Sequence, residues 1–271
     1  MKLSPMVAAT PLLLFTLHAE VTPLDQALPD SHLTTITCDL KQPPPYSDIP
    51  VFKTTADAEN TLGTYHYKLW LPEGYSADRT SQWPCMFIMD IGGNATMGTM
   101  EAWLKSNHFI VVMLVEAKGG PWGPIIGNFL AAHDDVIKRV RVGKKYATGI
   151  SGGARASSIF VQLRPGFSGL ILQAAGVMFD DTNDYIAAGL KGNPQLRIAM
   201  TLGSSDPNLA EVDPMKKLFG PEQLAIFEFN GGHAWAPPFT FKKAMAWLNG
   251  EGAGKPGASP ADSFDDFFKK K

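Results

Sequence analysis

The sequence predicts an α/β protein, built on a mostly parallel central sheet with helices on both faces. Three observations predict it. Short, near-continuous apolar runs at 85–90 and 109–115 suit strands that are covered on both sides. Segments of helical spacing alternate with such runs along most of the chain, the pattern of strand–helix–strand units. The length of 271 residues fits one sheet with its helices, which uses roughly 250.

The elements follow in order. Residues 1–19 read as an export signal: Lys2 gives a positive start and 6–17 an apolar stretch containing Leu12, Leu13, Leu14 and Phe15. Leu17-His18-Ala19 offers a cleavage point, and the run is too short to anchor in a bilayer. Residues 20–62, with Pro43-Pro44-Pro45 in the middle, read as an extended lead-in segment holding one early strand at 34–40. The main domain is expected over 63–250. It opens with an alternating strand at 65–71, ended by the turn chemistry of Pro72-Glu73-Gly74. Strands are then expected at 85–90, 109–115, 145–150, 170–175, 196–202 and 224–229, and helices at 125–140, 152–163 and 241–248. Residues 251–271 are rich in Gly, Ala, Ser, Pro and charge and read as a poorly ordered tail.

Composition sets the function classes. The chain is 45% hydrophobic and 18% charged with net charge −2 and no basic stripe. That balance gives no footing for nucleic acid or an anionic membrane surface. No His/Cys cluster has the spacing of a metal site. The expectation is a protein that is secreted or periplasmic, without membrane anchor or cofactor, acting on a small or polymeric substrate. Cys38 and Cys85 can pair in an oxidising compartment if their strands are neighbours; otherwise they are two buried thiols.

The chemistry concentrates in Gly149-Ile150-Ser151-Gly152-Gly153, a G-x-S-x-G sequence between a predicted strand and a predicted helix. A strand that reverses into a helix at Ser151 holds the nucleophile in strained backbone. Side chains at 149 and 153 would collide with the adjoining strand and helix. A serine hydroxyl needs a base. His233, in Asn230-Gly231-Gly232-His233-Ala234-Trp235, follows the last strand, whereas His66, His108 and His133 lie in or beside other elements. The acid that orients the base is read as Asp206, in Ser205-Asp206-Pro207-Asn208 after the strand at 196–202. Asp180, Asp181 and Asp213 remain alternatives. Ser, Asp and His then come in the chain order that goes with a G-x-S-x-G turn between strand and helix.

An oxyanion needs two donors. One is the Gly152 N–H; the other is Ile91 or Gly92, in Asp90-Ile91-Gly92-Gly93-Asn94 after the strand at 85–90. Trp122 and Trp235 are read as substrate-cleft residues, with packing anchors as the alternative.

The blocks 90–94, 120–122, 147–155, 203 with 206–208, and 231–235 resemble secreted bacterial α/β-hydrolases of the polyhydroxybutyrate-depolymerase-like and feruloyl-esterase-like kind. The resemblance runs over residues 64–249. It implies the α/β-hydrolase fold, a Ser151-Asp206-His233 triad, and ester hydrolysis without cofactor on a small-molecule, acyl-sugar or polyester substrate. Pro207 stands where similar chains carry an aromatic residue. Two other functions share the architecture: a peptidase, and a catalytically silent binding protein.

Overall fold

The computed structural model describes residues 33–75 and 81–251. The expected export signal and the tail from 252 onward lie outside these residues.

Among the described residues, eight strands form one sheet in the order β1-β2-β4-β3-β5-β6-β7-β8. They are β1 (Leu33–Leu40), β2 (Gly63–Trp70), β3 (Trp83–Asp90), β4 (Ile110–Leu114), β5 (Val142–Ile150), β6 (Phe167–Gln173), β7 (Arg197–Gly203) and β8 (Leu224–Phe229). From β4 through β8 every pair is parallel, and only β2 runs against its neighbours β1 and β4. The helices are α1 (Thr55–Glu59), α2 (Glu101–Ser106), α3 (Trp122–Arg139), α4 (Gly152–Leu163), α5 (Ala188–Lys191), α6 (Val212–Leu218) and α7 (Pro238–Leu248).

The buried runs sort by the two-residue period of a strand. Cys85, Phe87 and Met89 of β3 face one core with α3 and α4, where Phe129 stacks on Phe160 at 4.2 Å. Met86 and Ile88 face the other core, with Leu104 of α2 and Phe241 and Met245 of α7. Both faces are covered, as the apolar runs require.

The lead-in segment differs from the expectation. Its strand β1 pairs along its whole length with β2, Leu33 opposite Trp70 and Leu40 opposite Gly63. Among the described residues the sheet therefore starts at Leu33, ahead of the opening expected at 63. Alternate residues of β1 are exposed because it is an edge strand with one covered side.

Of the two readings of Cys38 and Cys85, a bridge and two buried thiols, the structure shows the second. Both thiols are free and buried. Cys38 is on β1 and Cys85 on β3, with β2 and β4 between them. Three strand spacings place them about 14 Å apart, twice the reach of a disulfide. Cys38 instead approaches the carbonyl of Tyr65 at 3.6 Å, and burial pushes its thiol up to about 12. Burial likewise raises the Cys85 thiol.

One polar network crosses the α3 side of the core. Lys145 Nζ donates to His133 Nε2 at 2.9 Å and to the Pro165 carbonyl at 2.7 Å. The ammonium has only donors, so His133 is neutral and carries its proton on Nδ1, facing Asp134 Oδ1 at 2.9 Å. Arg164 grips both oxygens of Asp134, at 2.9 and 2.7 Å. Burial lowers the proton affinity of His133 and the Lys145 charge adds to this, outweighing the Asp134 bond. Burial alone would raise the Asp134 carboxyl, but the Arg164 and His133 bonds hold it well below the usual range.

The His133 shift has a measurable sign. Its folded pKa lies below the unfolded value of about 6.5, so the folded state binds fewer protons below that pH. Its contribution is complete above about pH 6.5 and is lost as pH falls toward the folded value. Thermal melts should show Tm decreasing from about pH 7.5 to about pH 5.5, and His133→Gln should flatten that slope. Equal slopes in both proteins would contradict the assignment.

Candidate active site

The parallel strands put the ends of β3, β5, β7 and β8 on one edge of the sheet. Ile91, Ser151, Asp206 and His233 follow those ends in turn, where ligands meet open α/β sheets.

Ser151 joins β5 to α4 with φ 55° and ψ −120°. That conformation costs on the order of 1–3 kcal/mol for a residue with a side chain. The surroundings hold it there. Ser151 N–H donates to the Gln173 carbonyl at 2.8 Å, and the Ser151 carbonyl accepts from Ala154 and Arg155 at 3.0 and 3.2 Å. The flanking glycines are required sterically. A Cβ at Gly149 would lie 2.4 Å from the Gly153 carbonyl carbon, and one at Gly153 would lie 2.5 Å from the Met89 carbonyl oxygen.

His233 Nδ1 faces both oxygens of Asp206, at 3.1 and 3.2 Å. The Asp206 side chain is fully buried, while that of His233 is 36% exposed. Asp206 also accepts from Asn208 N–H at 2.8 Å and so caps the 3-10 turn at Pro207–Glu211. This second bond fixes the carboxylate beneath the ring. Asn208 Nδ2 ties the same loop to the Ala174 carbonyl at 2.7 Å. The His233 loop is admitted by Gly203: a Cβ there would lie 2.2 Å from the Gly232 carbonyl oxygen.

With Asp206 on Nδ1, His233 Nε2 has no hydrogen-bond partner among the described residues. No hydrogen bond joins Ser151 to His233 among the described residues. Of the alternative acids, Asp180 accepts from Thr182 and from Asp184 N–H, and Asp181 pairs with Lys53. Asp213 sits in the first turn of α6. His233 is hydrogen-bonded to none of these three.

The two alternatives for the second oxyanion donor differ in their hydrogen bonds. The Gly92 N–H is already donated to Asp90 Oδ1 at 2.8 Å, and Gly93 N–H to the Asp90 carbonyl at 2.8 Å. Ile91 and Gly152 N–H have no partner among the described residues, Gly152 because it opens a helix. The two residues touch: a Cβ on Gly152 would meet Ile91 Cδ1 at 2.6 Å. Ile91 rather than Gly92 is therefore the candidate second donor.

No family model matches the chain, and no curated protein matches it. Its fold does match solved structures. An S-formylglutathione hydrolase from Staphylococcus aureus aligns with a TM-score of 0.53 at 14% identity, covering 80% of this chain and 97% of that one. A ferulic acid esterase aligns at 0.54 and 12% identity, over 81% and 97%. A dienelactone hydrolase-like promiscuous phosphotriesterase from metagenomic libraries aligns at 0.52 and 13% identity, over 81% and 97%.

This is the α/β-hydrolase fold.

Within the α/β-hydrolase sheet the two tryptophans part company. Trp122 opens α3 and packs against the core on the α3 and α4 side; Trp235 packs against the opposite core. Each is half-buried, as a packing anchor would be. A cavity of about 470 Å³ lies elsewhere, between β1, the segment after it and α3, lined by Leu40, Pro43, Leu130 and Asp135 among others.

Sequence reasoning passed over Gln173 and the pair Arg155–Glu211. Arg155 Nη1 bonds Glu211 Oε2 at 3.2 Å and the Val177 carbonyl at 3.1 Å, tying α4 to the start of α6. Gln173 had a readable signal: it is a polar residue ending the apolar run Leu170-Ile171-Leu172, at the edge where the site lies.

Proposed function

We propose that this chain is a serine hydrolase of carboxylic esters, exported from the cell, with Ser151 as nucleophile, His233 as base and Asp206 as its orienting acid. One observation carries the reading. A histidine after β8 is held at Nδ1 by a fully buried carboxylate, with no partner on Nε2 among the described residues, and a serine after β5, at the same edge of the sheet, is kept at φ 55°. The carboxylate selects the tautomer whose Nε2 can accept a proton. The missing Ser151–His233 bond is compatible with this, since such bonds tighten when substrate binds.

The reaction is a two-step acyl transfer. His233 Nε2 takes the Ser151 proton as Oγ attacks the ester carbonyl. The developing oxyanion takes the N–H groups of Gly152 and Ile91. The carbon–oxygen bond to the alcohol breaks, and His233 returns the proton to that oxygen. Water then attacks the acyl-serine by the same route, releasing the acid and restoring Ser151. Esters are favoured as the substrate class by the ferulic acid esterase among the matched structures. The apolar stretch after Lys2 supports export.

A fluorophosphonate carrying a reporter tests the assignment. It should label the protein once, and peptide mass spectrometry should place the adduct on Ser151. An unlabelled folded protein, or an adduct elsewhere, would overturn the reading. A panel of short acyl, feruloyl, acetyl-xylan and polyhydroxybutyrate esters then ranks the substrates.

A further inference from the structure

We infer that Gln173 is a positioning residue that sets the placement of His233 relative to Ser151. The inference rests on the serine-hydrolase reading above and extends it to a residue that touches neither the nucleophile's hydroxyl nor the imidazole.

Gln173 ends β6, next to β5, and is fully buried. Its main-chain carbonyl accepts the Ser151 N–H at 2.8 Å. Its side-chain Oε1 accepts the Ala236 N–H at 3.0 Å. Ala236 lies in the same loop as His233, just before α7, and is itself fully buried. One residue thus holds the nucleophile's amide with its backbone and the histidine's loop with its side chain. The orientation of the amide follows from its partners. The Ala236 N–H can only donate, so Oε1 must face it. Nε2 then donates to Thr148 Oγ1 at 3.0 Å and to Met100 Sδ at 3.4 Å. Thr148, on β5, passes its own hydroxyl proton to the Ile171 carbonyl at 3.1 Å. The network leaves the side chain no second orientation of comparable satisfaction.

The other end of the same peptide is held too. Thr99 Oγ1 donates to the Ala236 carbonyl at 2.8 Å. Ala236 is therefore clamped at both its N–H and its C=O. No direct bond joins Ser151 to His233 among the described residues. Their relative placement then comes through these side-chain bonds, with the Asp206 contact fixing the ring's other edge. A small displacement of the loop shifts the imidazole relative to the serine, and shifts near 1 Å can cost about a hundredfold in rate.

Three variants test this with a nitrophenyl ester and the fluorophosphonate. Gln173→Met keeps the volume and removes the acceptor. Its kcat should fall about tenfold with KM within about twofold, and its phosphonylation rate should fall by the same factor, the size of one lost hydrogen bond. Gln173→Glu, protonated in this buried site, presents an acceptor to Ala236 and a donor to Thr148. It should recover most of the lost kcat. Thr99→Val alters an exposed side chain, so it folds even where a Gln173 variant does not, and its kcat should fall at least about threefold at unchanged Tm. A merely structural glutamine would lower Tm and leave kcat of the folded protein untouched. Wild-type kcat in Gln173→Met and Thr99→Val, with Ser151→Ala inactive, would overturn the positioning role and leave the hydrolase reading standing. Failure of the fluorophosphonate to label the wild-type chain would overturn both.

Discussion

Ser151→Ala should lower hydrolysis of a nitrophenyl ester by about four orders of magnitude or more while the thermal melt stays near that of the wild type. The loss follows from the chemistry: without Oγ no acyl-enzyme forms, and only binding and the oxyanion donors remain. The retained fold follows from the structure. The turn at residue 151 is held by main-chain bonds from the Ser151 N–H to Gln173 and from Ala154 and Arg155 to the Ser151 carbonyl. None involves the hydroxyl. Alanine tolerates φ 55° no better than serine, so the strain is present in both proteins and cancels in the comparison. Circular dichroism and a melt, read beside the kinetics, separate lost chemistry from lost folding. Residual turnover within about tenfold of the wild type would remove Ser151 from the mechanism.

Asp206→Asn should reduce kcat by about ten-thousandfold near neutral pH, with a smaller change in KM. The amide keeps the shape of the carboxylate and can still cap Asn208, since its carbonyl oxygen accepts from that N–H. What it loses is the instruction given to the imidazole. A carboxylate can only accept, which forces the His233 proton onto Nδ1. An asparagine whose oxygen is engaged by Asn208 turns its NH₂ toward the ring, and His233 then presents its lone pair to the amide and its N–H to the serine. The base becomes a donor at the position where it must accept. Asp206→Ala should be similarly slow and also less stable, because it leaves the Asn208 N–H without its cap. Rate profiles against pH would show the defect as a lowered plateau. An Asp206→Asn protein with wild-type kcat would send the search for the acid back to the loops after β6 and β7.

The long elements were legible because each carries its burial in its own period. β3 is a run of residues buried on both faces, and α3 and α4 show their apolar stripes over several turns. The short helices were not. α2, α5 and α6 have too few turns to display a stripe. α1 did carry a readable mark, the reciprocal capping of Thr54 and Asp57 at its start. Strand order was beyond a linear reading. It decided that β1 joins the sheet and that Cys38 and Cys85 are separated. At the site, the pairing of His233 with Asp206 was readable because both follow strand ends. The choice between Ile91 and Gly92 was not, since it turns on the Asp90 carboxylate folding back onto the next loop. The side of the sheet taken by Trp122 and Trp235 depended on helix placement, which local sequence does not encode.

The strand ends that carry the site are spread along the chain, with residues 91, 151, 206 and 233 on the loops after β3, β5, β7 and β8. A ribosome releases them in that order. The elbow at Ser151 can form once β5 and α4 pack, yet the imidazole arrives only after β8, close to the last helix. On the proposed mechanism the serine is an ordinary alcohol until then. A chain that stops short of β8 should therefore fail to react with the fluorophosphonate, reactivity coming only once the last strand is in place.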